Sequence, residues 1–202
     1  MEYAPLGHSG LVVSALGIGC NAFGRRIDQD QTTAVVAAAL DNGVNFFDTA
    51  DAYGAGASET LLGKALGSHR DEVVIATKFG MDMGDTYPGA LSNRASRGYI
   101  ARAVDGSLSR LGTDHIDLYQ LHTPDRITPI EETLRALTDL VQAGKVRYIG
   151  CSNFTAWEVA DAARIAEAIG SEHFITAQNE YSLYNRSAEA ELVPALEHYG
   201  MS

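Results

Sequence analysis

The stretch NFFDTADAYGAGASETLLGKAL (residues 45–66) passes from an apolar run to a helical pattern through an acid, a tyrosine and a glycine-rich turn. Its beginning belongs to the run VNFFDT at 44–49, which predicts a short buried strand, and SETLLGKALGSH at 58–69 predicts a helix. A strand followed closely by a helix is the repeating unit of parallel α/β folds. Asp48 and Tyr53 therefore lie at and just beyond the carboxyl end of a strand, where such folds collect functional side chains.

The same alternation of short apolar runs and amphipathic segments extends along the chain. Candidate strands lie at 15–19, 44–49, 72–78, 115–122, 145–152 and 174–181. Helices are predicted at 30–43, 58–69, 96–112, 129–145, 155–170 and 187–200. Alternating strands and helices pair in parallel through right-handed crossovers, which gives either an open doubly wound sheet or a closed barrel. We expect one domain spanning residues 1–202.

Two further segments qualify this pattern. YAPLGHSGLVVS at 3–14 predicts a β-hairpin that turns at His8, Ser9 and Gly10. Pro194 falls inside the last predicted helix, where it is tolerated only near the first turn or at a kink. A hairpin before the first βα unit can act as a lid on the fold.

Composition and charge restrict the possible partners. The 202 residues carry a formal net charge of −11 at pH 7, which repels phosphate backbones and anionic lipid headgroups. No apolar run approaches the roughly 18 residues that span a bilayer, and the N-terminus lacks a signal-peptide pattern. The two cysteines, Cys20 and Cys151, form no metal-binding motif and are expected to be buried, reduced thiols. We expect a cytoplasmic protein with no nucleic-acid partner, no membrane partner and no metal.

A dinucleotide-binding fingerprint is one alternative. GIGCNA places Gly17, Gly19 and Ala22 in a G-x-G-x-x-A spacing after a candidate strand. A Rossmann helix opens directly on this motif, whereas here the polar, loop-like FGRRIDQDQ follows. The pattern therefore disfavours a Rossmann site.

Polar side chains stand at the end of every later strand, as Asp48 does at the second. These residues are Lys78, His122, Ser152, Asn153 and Gln178. Because the carboxyl ends of parallel strands share one edge of a sheet, we expect them to meet there. Each of them taken alone could instead be structural, as an ion pair, a buried histidine or a strand-end cap.

The set has the chemistry of a proton-transfer site facing a carbonyl. Tyrosine, with a pKa near ~10, is a weak acid at neutral pH, and the Lys78 ammonium is expected to lower the pKa of Tyr53. Asp48 is the natural counter-charge for a partly buried lysine. His122 could orient the substrate oxygen and stabilise the charge that develops on it.

The motifs FFDTADAYG, TKFG, DLYQLH, GKVRYIGCSNF and QNEYSLYNR together resemble the aldo-keto reductase family, in particular bacterial members related to voltage-gated potassium channel β-subunits. The resemblance implies a (β/α)₈ TIM barrel closed at its bottom by an N-terminal hairpin. It implies NADP(H) as cofactor and reduction of a small-molecule aldehyde or ketone. It also implies a catalytic tetrad of Asp48, Tyr53, Lys78 and His122. By the same resemblance, the nicotinamide carboxamide is held by Ser152, Asn153 and Gln178.

The length is short for that fold. A TIM barrel takes about 250 residues, so we expect about six βα units after the hairpin, with the last two lacking. In the family those last units help to hold the cofactor, and their loss would leave sheet edges exposed. Three interpretations remain: a reductase, a cofactor-binding regulatory subunit like the channel β-subunits, or an inactive fragment. The glycine-rich loop at 80–98 could line the substrate mouth or be mobile.

Overall fold

The computed structural model describes residues 1–84 and 93–202. Its first element is the predicted hairpin, in which β1 (Tyr3–Pro5) pairs antiparallel with β2 (Val12–Ser14). The Asn45 side chain accepts a hydrogen bond from the Ser14 backbone N–H at 2.7 Å and so ties the hairpin to the segment before the second parallel strand. The hairpin is thereby fixed to the rest of the fold.

Six parallel strands follow the hairpin within residues 1–84 and 93–202. They are β3 (Gly17–Gly19), β4 (Phe46–Asp48), β5 (Val74–Phe79), β6 (Ile116–Leu121), β7 (Val146–Ser152) and β8 (Phe174–Gln178). Their order across the sheet is their order along the chain. A doubly wound sheet reverses strand order at a switch point, and this sheet does not. The arrangement is that of an incomplete (β/α)₈ barrel, and the Rossmann alternative is excluded.

Six α-helices connect and cover the strands in the described part of the chain. They are α1 (Gln29–Asp41), α2 (Ala57–Leu66), α3 (Arg97–Leu111), α4 (Ile130–Gln142), α5 (Ala156–Ile169) and α6 (Leu192–His198). Five of the six agree closely with the predicted helices. The sixth is shorter than predicted because only a 3₁₀ turn forms at Ser187–Glu189 and the helix starts at Leu192. Pro194 then falls in its first turn, where the missing N–H costs no helical hydrogen bond.

The sheet is strongly curved. Gln178 ends β8 and Asp48 ends β4, four strand spacings apart, which would be roughly 19 Å in a flat sheet. The Gln178 Nε2 nevertheless donates to Asp48 Oδ2 at 3.2 Å. The six strands therefore bend around a common axis, and their ends surround one space.

Alternation along the strands separates an inner core from an outer one. Inward-facing side chains such as Phe46, Val74 and Leu118 pack with Leu11 and Val13 of the hairpin. The residues between them on the same strands face the helices in a second, larger cluster, whose sheet members include Phe47, Ile75, Tyr119, Ile149 and Phe174. The hairpin thus fills the bottom of the barrel interior, and the polar strand ends lie at its top.

The structure also bears on the expected absence of a membrane partner and on the loop at 80–98. None of the helices within residues 1–84 and 93–202 is both long and apolar enough to cross a membrane. The loop at 80–98, predicted to line the substrate mouth or to be mobile, lies in part outside the described residues, which stop at Gly84 and resume at Asn93.

Candidate active site

The site is built on an ion pair between β4 and β5. Lys78 Nζ lies 2.6 Å from Asp48 Oδ1 and 2.7 Å from Oδ2, and it also donates to the Thr49 carbonyl at 3.0 Å. Lys78 is only 1% exposed, so its ammonium depends on these partners. Burial lowers the pKa of Lys78, and the contact with Asp48 opposes that change. The predicted contact of Asp48 with Lys78 is confirmed.

Tyr53 reaches the pair from the loop after β4. It begins a short 3₁₀ turn, Tyr53–Gly56, in which Gly54 and Ala55 have positive φ angles of 60° and 52°. Positive φ costs a non-glycine residue about 1 kcal/mol or more, so surrounding contacts must impose this turn. Lys78 Nζ lies 5.3 Å from the centre of the Tyr53 ring.

The prediction that the pKa of Tyr53 is lowered is wrong, because burial outweighs the effect of the Lys78 ammonium. Burial, as the largest cause, and then the negative charge of Asp48 raise the pKa of Tyr53 to about 12. Asp48 acts on Tyr53 while it is bound to the Lys78 ammonium, so the two opposite charges partly offset each other there. Tyr53 therefore keeps its proton across the neutral pH range.

His122 faces Tyr53 from the end of β6, one residue beyond the strand. The two rings meet edge to face, with centroids 5.7 Å apart and planes at 82°. Burial, as the largest cause, and the nearby Lys78 charge together lower the pKa of His122 to about 4. His122 Nδ1 is buried without a hydrogen-bond partner among the described residues. A neutral imidazole with an unpartnered nitrogen thus stands beside the tyrosine.

Ser152, Asn153 and Gln178 form one hydrogen-bonded group next to the ion pair. Ser152 Oγ donates to the Gln178 carbonyl at 2.7 Å and accepts from Asn153 Nδ2 at 3.1 Å. Asn153 Nδ2 also donates to the His122 carbonyl at 2.9 Å. With Ala55, Asn153 is one of two non-glycine residues with positive φ in the described chain, and both lie at this end of the sheet. All seven residues singled out from the sequence therefore meet at one place.

The structure adds two buried acids that the sequence did not single out. Asp51 lies between Asp48 and Tyr53, is fully buried, and has no hydrogen-bond partner for either carboxyl oxygen among the described residues. Burial, as the largest cause, and then the Glu59 carboxylate raise the pKa of Asp51 to about 8. Glu59 is also fully buried, on the first turn of α2. Acids are common in first helical turns and in loops, so their sequence positions carried no signal of burial.

The cysteines play no part in this geometry as nucleophiles. Cys20 and Cys151 are free and buried, as predicted. Burial raises the pKa of both thiols well above the ordinary value. Both thiols therefore stay protonated and unreactive at neutral pH.

Comparison with known proteins agrees with this architecture. The sequence model of the Aldo/keto reductase family matches residues 15–202. Over its whole length the chain is similar to the uncharacterized oxidoreductase YrpG of Bacillus subtilis, at 44% identity, covering 64% of that protein. It is similar to the versiconal hemiacetal acetate reductase of Aspergillus parasiticus, at 41% identity, with all of this chain and 65% of that protein covered.

A third relative is named for a different role. The chain is 37% identical to a probable voltage-gated potassium channel subunit beta of Oryza sativa subsp. japonica, and the match covers all of this chain and 62% of that protein. The chain spans less than two thirds of the length of the curated relatives named here. A parallel sheet in barrel order and a family match over residues 15–202 lead to one conclusion: the chain belongs to the aldo/keto reductase family.

Proposed function

We propose that the chain contributes the proton-donating site of an oxidoreductase that reduces an aldehyde or ketone to an alcohol with NADP(H). The observation that carries the proposal is the meeting of Asp48, Tyr53, Lys78 and His122 at the carboxyl end of the sheet. The chain belongs to the aldo/keto reductase family, and the resemblance of its motifs to that family implies that these four residues are the catalytic tetrad. Two relatives that are named as reductase or oxidoreductase support the same reaction class.

Tyr53 is the proposed general acid. Reduction of a carbonyl adds a hydride to carbon and a proton to oxygen, and the Tyr53 hydroxyl supplies the proton. Its pKa of about 12 keeps the phenol protonated until the substrate oxygen becomes strongly basic. Lys78 then stabilises the phenolate that is left, and Asp48 holds the Lys78 ammonium in position.

His122 is proposed to orient the substrate oxygen. Its pKa of about 4 makes it neutral in the cell, so it acts through a ring nitrogen and not through a charge. The edge-to-face contact between the His122 and Tyr53 rings supports this role. A carbonyl oxygen between the two rings would contact both groups.

The polar group at the ends of β7 and β8 fits a nicotinamide carboxamide. The Asn153 and Gln178 side chains each use the amide nitrogen within the protein, which leaves their carbonyl oxygens to accept from an NH₂ group. The chemistry that NADP(H) supplies when bound is transfer of a hydride. Ser152 links the two residues, because it accepts from the Asn153 amide and donates to the Gln178 backbone carbonyl.

Binding and turnover of the 202-residue chain test the proposal. NADPH is titrated against the purified protein while nicotinamide fluorescence is followed, and aldehyde and ketone reduction is then assayed. We expect saturable binding that weakens at least about tenfold in Gln178→Ala, since the loss of one bond to a polar group is worth about 1.5 kcal/mol. Absence of both binding and turnover in a cooperatively folded sample would refute the proposal for this chain.

A regulatory role is a second candidate, favoured by the similarity to a probable potassium channel subunit beta. A cofactor-binding subunit would bind NADPH through the same Asn153 and Gln178 groups but would not need rapid turnover. Saturable NADPH binding without measurable reduction of any carbonyl, together with unaltered binding in Tyr53→Phe, would favour this second role.

A further inference from the structure

The helix that follows the Tyr53 turn is fixed to three strands by its first turn. Ser58 Oγ donates to the Cys20 carbonyl at the end of β3 and lies 2.8 Å from Thr49 Oγ1 beyond β4. Glu59 Oε1 accepts from Thr77 Oγ1 of β5 at 2.5 Å. Ser58, Glu59 and Thr77 are fully buried, so water does not compete for these bonds.

Glu59 also binds a residue that packs against the Tyr53 turn. Arg110 of α3 donates from Nε to Glu59 Oε2 at 2.6 Å. The Arg110 side chain lies directly over Gly56, the last residue of the turn, where a Cβ would come within 2.5 Å of Arg110 Cδ. Gly56 has φ of +91°, so both the backbone conformation and the close approach require glycine there. The Arg110 side chain therefore limits where the turn can lie.

On the strand side, Thr77 is the neighbour of Lys78. Side chains alternate along β5, so Thr77 points outward to α2 while Lys78 points inward to Asp48. The Asp51 N–H donates to the Lys78 carbonyl at 3.0 Å, which ties the loop to the same strand. Any movement of α2 relative to β5 would change how Tyr53 faces Lys78.

We infer that Glu59 is a positioning residue of this site: its carboxylate holds β5 and α3 against the Tyr53 turn and so sets the placement of Tyr53 relative to Lys78. The consequence for turnover rests on the proposed function. The effect of Glu59 on the placement of Tyr53 does not rest on the proposed function, because it can be observed directly in a signal from Tyr53. A merely structural Glu59 would contribute to stability and leave the surroundings of Tyr53 unchanged.

The test uses the full chain labelled with [ζ-¹³C]tyrosine, in which the Tyr53 signal is assigned by its absence from Tyr53→Phe. Glu59→Gln keeps the side-chain size and an acceptor for Thr77 but removes the charge that holds Arg110. We expect the Tyr53 signal to move or broaden at neutral pH. In the carbonyl assay, we expect kcat to fall at least about tenfold with KM little changed, since small displacements of reacting groups are costly in rate.

The matched control is a variant that neutralises the carboxylate of another largely buried ion pair, at the opposite end of the sheet. Asp117→Asn weakens the pair with Arg70, which is 2.9 Å long and remote from Tyr53 along the strands. We expect Asp117→Asn to lower stability while the Tyr53 signal stays in place. Comparing the Tyr53 signal in Glu59→Gln and Asp117→Asn distinguishes a displaced Tyr53 from the effect of lower stability alone.

The outcomes are distinct. An unmoved Tyr53 signal in folded Glu59→Gln overturns the inference. If Glu59→Gln does not fold, the isosteric Thr77→Val variant decides, because it removes only the bond between β5 and Glu59, and an unmoved signal again overturns it. The Tyr53 signal could also be displaced in Glu59→Gln while the wild type reduces no carbonyl. That result supports the positioning role of Glu59 and contradicts only the proposed function.

Discussion

Two ion pairs join neighbouring segments at opposite ends of the same sheet. At the amino end, Arg70 lies 2.9 Å from Asp117 Oδ2 and also donates to Thr113 Oγ1 and to the carbonyls of Val73 and His115. Asp117 Oδ2 in turn accepts from the Ile75 N–H. At this end the donors and acceptors of both partners are well matched, and the pair closes a structural network.

The carboxyl-end pair, Lys78 with Asp48, has similar distances but different surroundings. Beside it lie the Tyr53 ring, His122 Nδ1 and the Asp51 carboxyl, and the last two are buried without hydrogen bonds among the described residues. Buried polar groups are normally satisfied, so unsatisfied ones concentrated at one end indicate a site kept for a ligand or a reaction. The groups around an ion pair, and not its N–O distance, therefore indicate whether the pair is structural or belongs to a functional site.

The largest expected effect is on turnover. Tyr53→Phe should lower kcat for carbonyl reduction by about 10²–10⁴-fold, the usual contribution of a general acid. Its free energy of unfolding should change by less than about 0.5 kcal/mol. The matched control is Tyr3→Phe, which removes a hydroxyl that donates to the Gly43 carbonyl at the amino end. Equal rates in Tyr53→Phe and wild type, measured as NADPH oxidation, would contradict the assignment.

Next in size is the effect of breaking the amino-end pair. Arg70→Met should lower the free energy of unfolding by about 3 kcal/mol, because Asp117 is left without its cation in a largely buried place. We expect kcat per folded molecule to stay at the wild-type value. Urea denaturation and the carbonyl assay on the same sample measure both quantities. A proportionate loss of kcat in the folded protein would mean that the two ends are not independent.

Asp51 should make stability depend on pH. Its pKa is about 8 in the folded protein and near 3.8 in an unfolded chain, so between these values the folded state holds the extra proton. The stability of wild type relative to Asp51→Asn therefore falls as pH rises, by about 1.4 kcal/mol per pH unit. Urea denaturation at about pH 6 and pH 7.5 should show a change of about 2 kcal/mol in that difference. Parallel stabilities at the two pH values would show that Asp51 is ionised.

The smallest expected effect concerns His122. With a pKa of about 4, it stays neutral well below the ordinary histidine range. We expect kcat/KM to vary less than about threefold between about pH 5.5 and 6.5, where an unperturbed histidine would titrate. A sigmoidal loss of activity centred near pH 6.5 would instead show that His122 becomes charged in the working enzyme.

The positions of the candidate site residues could be predicted from the sequence because βα repeats place strand ends at one edge. Asp48, Lys78 and Ser152 belong to apolar runs that end in polar residues, and this pattern is local. The burial of Asp51 and Glu59 could not be predicted, since acids in loops and first helical turns are usually solvated. The predicted helix at 187–200 is longer than the observed α6, because Pro194 fits the first turn of a helix and not its middle.

The sequence by itself determined the βα order, the parallel sheet, the hairpin and the types of side chain at each strand end, because these follow from period and turn chemistry over short stretches. Only the tertiary structure decided that Gln178 meets Asp48 across the curved sheet, that burial and the Asp48 charge raise the pKa of Tyr53, and that Glu59 links β5 to α3. The physical reason is that solvent exclusion and Coulomb interactions depend on distances between segments far apart in the chain, and those distances exist only once the sheet has curved.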